Sequence, residues 1–223
     1  MSVQPQLAFD HVVVTCHKLK AGIDYVRRVF GVEIPLGGQH DFMGTHNAVM
    51  AVGDGIYFEV IAIDTSLPVP PYPRWFGLGN PLFEDRMKDQ PILAHYVLRT
   101  TDIEATMAGL SDELIEMLGP VNSASRGDLS WKITINPTGL PPEGGCLPAL
   151  IEWDGVPPQY KMARLGPELE RIYLCHPKPE MMLSHLMAMG AGDLIDQGMI
   201  DVQETAKTGL KADFIQNNKA VWI

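Results

Sequence analysis

One short phrase occurs twice in this chain and restricts the fold more than any other feature. Asp10-His11-Val12-Val13-Val14 is an apolar, β-branched strand pattern with one imidazole near its start, and a helical apolar face opens eight residues after the histidine, at Leu19. Leu93-Ala94-His95-Tyr96-Val97-Leu98 repeats it, with a helical face opening eight residues after His95, at Ile103. Each copy is later closed by an apolar run holding one acid: Ile56-Tyr57-Phe58-Glu59-Val60-Ile61 for the first, Leu147 to Trp153 with Glu152 for the second. Two tandem modules, each running from a histidine to a glutamate, are the expectation.

The first module reads as β-α-β-β-β. Leu7 to Thr15 is a strand, and Leu19, Ile23, Val26 and Phe30 recur at helical spacing up to a stop at Gly31. Val32 to Ile34 reads as a short strand, Pro35-Leu36-Gly37-Gly38 as a turn, and Ala48 to Val52 as a strand before the Glu59 run. In the second module one helical face carries Ile103, Met107, Leu110, Leu114 and Leu118 behind the N-cap candidate Asp102. Ser123 to Asp128 reads as a turn and Leu129 to Ile135 as a strand.

Between the modules, the proline-rich stretch around Pro68-Val69-Pro70-Pro71-Tyr72-Pro73 cannot enter a central sheet and is expected to cross the surface, docked by Trp75 and Phe76. The organisation is therefore residues 7–63, first module; 64–91, connection; 92–154, second module; and 155–223, a C-terminal partial βα unit. In that last unit Leu169 to Leu174 and the stretches 210–215 and 220–223 read as strands, and the methionine-rich stretch 177–189 as a core helix.

Composition excludes several classes. A chain of 223 residues that is 46% hydrophobic has the makings of a sizeable core, and no run reaches the ~18 apolar residues of a membrane span. After a polar start no secretory signal is legible, so a cytoplasmic location is the default. The net charge of −10 and the scatter of 17 basic residues oppose binding to nucleic acid. Cys16, Cys146 and Cys175 are odd in number and form no CxxC pair, which points to reduced, buried thiols.

His11 with Glu59, and His95 with Glu152, resemble the paired modules of the vicinal oxygen chelate superfamily, which holds glyoxalase I, extradiol dioxygenases and bleomycin-resistance proteins. Gly38-Gln39-His40, Gly44-Thr45-His46-Asn47, Tyr57 to Ala62 and Arg74 to Leu78 are similar, more narrowly, to its glyoxalase-like domain branch. The resemblance implies an α+β fold in which tandem βαβββ modules curl into a barrel-like mixed sheet with helices outside. It also implies metal ligands at His11, Glu59, His95 and Glu152, and a homodimer as one arrangement, although two modules in one chain can close a cavity unaided.

Imidazole and carboxylate ligands without thiolate suit Ni²⁺, Co²⁺, Mn²⁺, Fe²⁺ or Zn²⁺. Such a site would make the chain a lyase or isomerase acting on a small oxo or hydroxy compound, with Glu152, then Glu59, as the catalytic base. A small-ligand-binding protein without chemistry, or an extradiol-type dioxygenase, are the alternatives. His46 and Asn47 are candidate substrate contacts, with a local Asn turn as the other reading. Trp75 and Phe76 form either a lid on the ligand or a plug between modules. Arg126 and Lys132 either offset a substrate carboxylate or simply solvate the surface, as exposed basic side chains usually do.

Overall fold

The computed structural model describes residues 6–223. The polar start of the chain, on which the absence of a signal was read, falls mostly on residues 1–5, outside the described residues. No helix among the described residues is long and apolar enough to cross a membrane.

The first module forms β1 (Ala8–Thr15), α1 (Leu19–Phe30), β2 (Leu36–His40), β3 (Thr45–Gly53) and β4 (Ile56–Ile63). The expected helix is present in full, and it ends because Gly31 takes φ +68 and returns its N–H to the Arg27 carbonyl. Its buried face is Leu19, Gly22, Val26 and Phe30, and Phe30 meets Phe58 of β4 edge to face. The stretch read as a turn is instead the strand β2, and Val32 to Ile34 is not a strand. The two glycines deceive locally, but side chains from elsewhere in the barrel pack closely on both. A Cβ on Gly37 would lie 2.2 Å from Asn47 Oδ1, and one on Gly38 would lie 3.0 Å from Arg126 Cδ.

The connection does not stay on the surface. It carries a 3₁₀ turn, Trp75–Gly77, and a helix, α2 (Pro81–Met87), capped by the Asn80 side chain. Trp75, Phe76 and Leu78 are buried among Val13, Ile61, Trp131 and Ile151, so this segment plugs the space inside the sheet. The single helix expected after Asp102 is broken into α3 (Ile103–Ala108) and α4 (Asp112–Leu118). Asp102 caps the first as expected and Ser111 caps the second; Ile103, Met107, Leu114 and Leu118 are buried on either side, so the apolar period runs across the break without showing it. β5 (Ile92–Arg99), β6 (Val121–Arg126), β7 (Leu129–Thr134) and β8 (Ala149–Trp153) complete the module, β6 occupying most of the stretch read as a turn.

These eight strands form one sheet in the order β2-β3-β4-β1-β5-β8-β7-β6. β1 runs parallel to β4 and antiparallel to β5, which runs parallel to β8, so the two modules mirror each other about the β1·β5 seam. The sheet curls into a nearly closed barrel with its helices outside, and Arg126 of the edge strand β6 reaches across to Asn47 and His40 in the other module. The fold class that the resemblance implied is the one observed.

The remaining chain forms β9 (Glu168–His176), α5 (Pro179–Met189), α6 (Gly192–Asp196), β10 (Ile200–Glu204), β11 (Gly209–Gln216) and β12 (Lys219–Trp222). They make a four-stranded sheet, β10-β9-β11-β12, in which α6 and β10 had no clear sequence signal. Met182, Leu186 and Met189 are core, as their spacing indicated. Phe214 of β11 packs edge to face on Phe30 and Phe58, joining this sheet to the outside of the barrel.

Candidate functional site

The barrel interior beside the first module holds a narrow cavity open to solvent, with about 30 Å³ of room inside. Strand alternation decides what lines it. On β1 the inward residues are His11 and Val13, while Val12 and Val14 face the helices. On β4 Tyr57 and Glu59 point inward, and the parallel register sets His11 beside Tyr57 and Val13 beside Glu59.

His11 is fixed from three directions. Its Nδ1 lies 2.7 Å from Asp10 Oδ1, its ring stacks on Tyr57 at 4.2 Å, and its Nε2 lies 3.7 Å from Glu59 Oε2. A register shift between Phe9 and His11 marks a β-bulge at Asp10, which re-aims that side chain into the barrel wall. Asp10 is fully buried, and its Oδ2 accepts from Arg99 Nη1 at 3.1 Å, Trp153 Nε1 at 3.1 Å and Gln159 Nε2 at 3.0 Å. With the carboxylate accepting on both oxygens, Nδ1 of His11 is the donor to Asp10, which aims Nε2 at Glu59. Burial first, and then the Asp10 and Glu59 carboxylates, push the Tyr57 hydroxyl well above its ordinary range.

A second polar chain enters from the other edge of the sheet. Glu59 Oε1 accepts from Asn47 Nδ2, and Asn47 Oδ1 accepts from the Gly38 N–H at 2.9 Å and Arg126 Nη1 at 3.2 Å. The same Arg126 nitrogen lies 3.1 Å from His40 Nε2, and His40 Nδ1 lies 3.1 Å from Thr45 Oγ1. Burial, reinforced by the Arg126 charge, pushes His40 down to about 3, so it stays neutral and accepts from the guanidinium. Arg126 is half-buried and forms no ion pair among the described residues, which leaves its charge available to an anion in the cavity. Trp75, Phe76, Trp131 and Trp153 complete the walls.

The four expected metal ligands are not brought together. His11 and Glu59 face each other. His95 is on the same inward face but lines a separate cavity beyond Phe76. Glu152 points the other way: its Oε2 accepts the Ile103 N–H at 2.7 Å at the start of α3, on the outer face that it shares with Lys132. The register explains why. In the first module the residue two beyond the histidine, Val13, pairs with Glu59; in the second, Val97 pairs with Ala149. The counterpart of Glu59 is therefore Ala149, and Glu152, three residues later, has the opposite strand parity. Among the described residues no three His, Cys, Asp or Glu side chains are grouped to hold a metal ion. The residues present do not fit the four-ligand centre that the superfamily implies, nor a two-histidine, one-carboxylate iron site.

Of the expected substrate contacts, Asn47, Trp75, Phe76 and Arg126 line the cavity, whereas His46 faces outward, 3.3 Å from Asp64. Lys132 also lies outside, 3.9 Å from Glu104. Asp10, His40, Arg99, Trp131, Trp153 and Gln159 were not singled out. Asp10 stood next to the key histidine and His40 lay in a family-like motif; the other four become visible only once the strands pair.

The paired βαβββ barrel and its inward His11 and Glu59 define a vicinal oxygen chelate protein. A family model for the glyoxalase-like domain matches residues 9–190, and the chain belongs to that family. A comparison with curated proteins finds no match. Among solved structures, a hypothetical protein from Staphylococcus aureus aligns over 97% of this chain and 84% of its own, at 17% identity and a TM-score of 0.56, which shows the shared fold. Methylmalonyl-CoA epimerase from Mycobacterium tuberculosis aligns over 72% of this chain and 97% of its own, at 16% identity and a TM-score of 0.42. A mutant 4-hydroxymandelate synthase from Streptomyces coelicolor aligns over 68% of this chain and 50% of its own, at 19% identity and a TM-score of 0.43.

Proposed function

We propose that the chain is a glyoxalase-like enzyme of the lyase or isomerase type that moves a proton on a small oxo or hydroxy carboxylate. The observation that carries this reading is the Asp10-His11-Glu59 alignment, with His11 Nε2 and Glu59 Oε2 3.7 Å apart in an aromatic cavity that also holds Arg126. Arg126 anchors the substrate carboxylate. His11, oriented by the Asp10 contact at Nδ1, takes a proton at Nε2 from the carbon next to the carbonyl. The C–H electron pair stays on the substrate as an enolate, and the proton now on His11 returns to it, directly or after passing to Glu59 3.7 Å away, so the proton count balances and no oxidant or reductant is consumed.

The test is deuterium exchange. Small 2-oxo and 2-hydroxy carboxylates are incubated with the protein in D₂O and followed by proton NMR. Incorporation into at least one compound is expected, slowed about 100-fold or more by His11→Gln or Glu59→Gln. Arg126→Met should raise KM with a smaller effect on kcat. Five aromatic rings in the cavity wall, Tyr57, Trp75, Phe76, Trp131 and Trp153, favour a second reading, a protein that binds its ligand without chemistry. Tight binding of a carboxylate with no exchange would select that reading and refute the first.

A further inference from the structure

The candidate cavity is roofed. After β8 the chain runs as a strap, residues 155–166, across to β3 of the first module before it enters β9. Pro158 and Met162 of this strap line the cavity with His11 and Arg126, and about 30 Å³ of room is left beside them. A space of that size holds one or two waters. Even the smallest 2-oxo carboxylate is several times larger than a water, so the site as it stands is shut to the substrate class that its side chains suit.

The strap has the features of a part that moves. Its ends are glycines at positive φ, Gly155 at +87 and Gly166 at +111. A Cβ on Gly155 would meet nothing within 4 Å, and one on Gly166 only the Gln216 side chain at 3.7 Å, so the backbone has space to turn at both ends. Between them Pro157 and Pro158 lead into a 3₁₀ turn, Pro158–Lys161, which stiffens the arm. Little holds that arm down. Val156 and Tyr160 are 67% and 56% exposed, and Gln159 is the one residue of the strap that is fully buried. Gln159 Nε2 donates to Asp10 Oδ2 at 3.0 Å and to the Gly55 carbonyl at 3.1 Å. The Ala163 carbonyl accepts the Ala51 N–H at 3.0 Å, within a one-residue β-bridge from Ala51 to Arg164. A segment with so little buried contact opens without the rest of the fold.

We propose that residues 155–166 are a hinged gate over the candidate site and that Gln159 is its latch: the strap lifts to admit the substrate, and on closing returns an amide donor to Asp10, the carboxylate that orients His11. Gln159 is thus a positioning residue, which acts through Asp10 without touching the substrate. His11 is held best when the roof is shut and water is kept out. What passes the gate rests on the proton-transfer reading; the opening itself does not.

Amide hydrogen exchange of the full chain, read by NMR, tests the gate. The Ala51 N–H, held by the strap, and the Met162 N–H, held within it by the Gln159 carbonyl, should exchange at one shared rate, about 100-fold or more faster than Val60 in the interior strand β4. Gln159→Met keeps the side-chain length and loses both hydrogen bonds, and should speed exchange at Ala51 about 10-fold while leaving Val60 unchanged. Ala51 exchanging as slowly as Val60, or at the same rate in Gln159→Met as in the unmodified protein, would overturn the proposal. In the D₂O assay with 2-oxo carboxylates the same variant should lower kcat about 10-fold with KM unchanged or lower, and an unchanged kcat would overturn the positioning role. If no compound exchanges with the unmodified protein, the proton-transfer reading fails and the amide rates alone decide the gate. Should Gln159→Met fail to fold, the rates of Ala51 and Met162 in the unmodified protein decide it, since unequal rates mean that the strap does not lift as one piece.

Discussion

Acid should unfold this protein through two histidines that are kept neutral inside it. His40 and His95 are 4% and 2% exposed, and burial holds both near about 3, whereas an unfolded histidine titrates near 6.5. Between those values the unfolded chain binds protons that the folded chain refuses. Stability therefore rises with pH across that window and is lost as pH falls from about 6.5 toward 3. At pH 5 the unfolded state gains about 1.5 units per histidine, or about 2 kcal/mol each and about 4 kcal/mol for the pair. Urea unfolding at pH 7 and pH 5, followed by tryptophan fluorescence, reads this directly, because Trp75, Trp131 and Trp153 all lie in the barrel. His95→Gln cannot titrate in this range and should remove about 2 kcal/mol of the pH dependence. A variant whose loss between pH 7 and pH 5 matches that of the unmodified protein within about 0.5 kcal/mol would refute the reasoning.

Three further outcomes are expected. Asp10→Ala leaves the Trp153 indole N–H without its acceptor and the Arg99 charge without its carboxylate, with only the Gly55 carbonyl left to Arg99 and Gln159, and should cost about 3 kcal/mol in urea unfolding. Gly22→Ala would put a Cβ 2.1 Å from Val60 Cγ1, prying α1 off β4; a loss of about 1–3 kcal/mol should appear as a lowered Tm. Glu152→Gln should leave deuterium exchange unchanged, since its carboxylate caps α3 outside the cavity, and should cost about 0.5–1 kcal/mol through the helix terminus. A large kinetic loss in that variant would show that the strand parity assigned to β8 is wrong.

Half of the site was legible in the residues. His11 and Glu59 sit on strands whose β-branched and apolar runs fix their alternation locally, and both point into the barrel. Asn47, Trp75, Phe76 and Arg126 were legible as residue types suited to contact, and they line the cavity. His46 failed because its neighbour Asn47 has the opposite parity, and one residue along a strand is the difference between interior and solvent. The histidine at 40 belonged to a motif, but only its burial beside Arg126 shows that it is a neutral acceptor.

The sequence alone determined the elements whose signals are local: α1 with its glycine stop, the Asp102 cap, the two histidine strands and the tandem order that makes the fold. Tertiary structure decided everything that depends on which strand lies beside which. Gly37 and Gly38 form a strand because β3 pairs with them, and their missing side chains leave room for Asn47 and Arg126. Trp75 and Phe76 enter the barrel because its interior offers them an apolar wall. Glu152 leaves the site because pairing with β5 places Ala149 opposite Val97, and side chains alternate every residue from there. A strand's own residues fix its period; its neighbour fixes the phase.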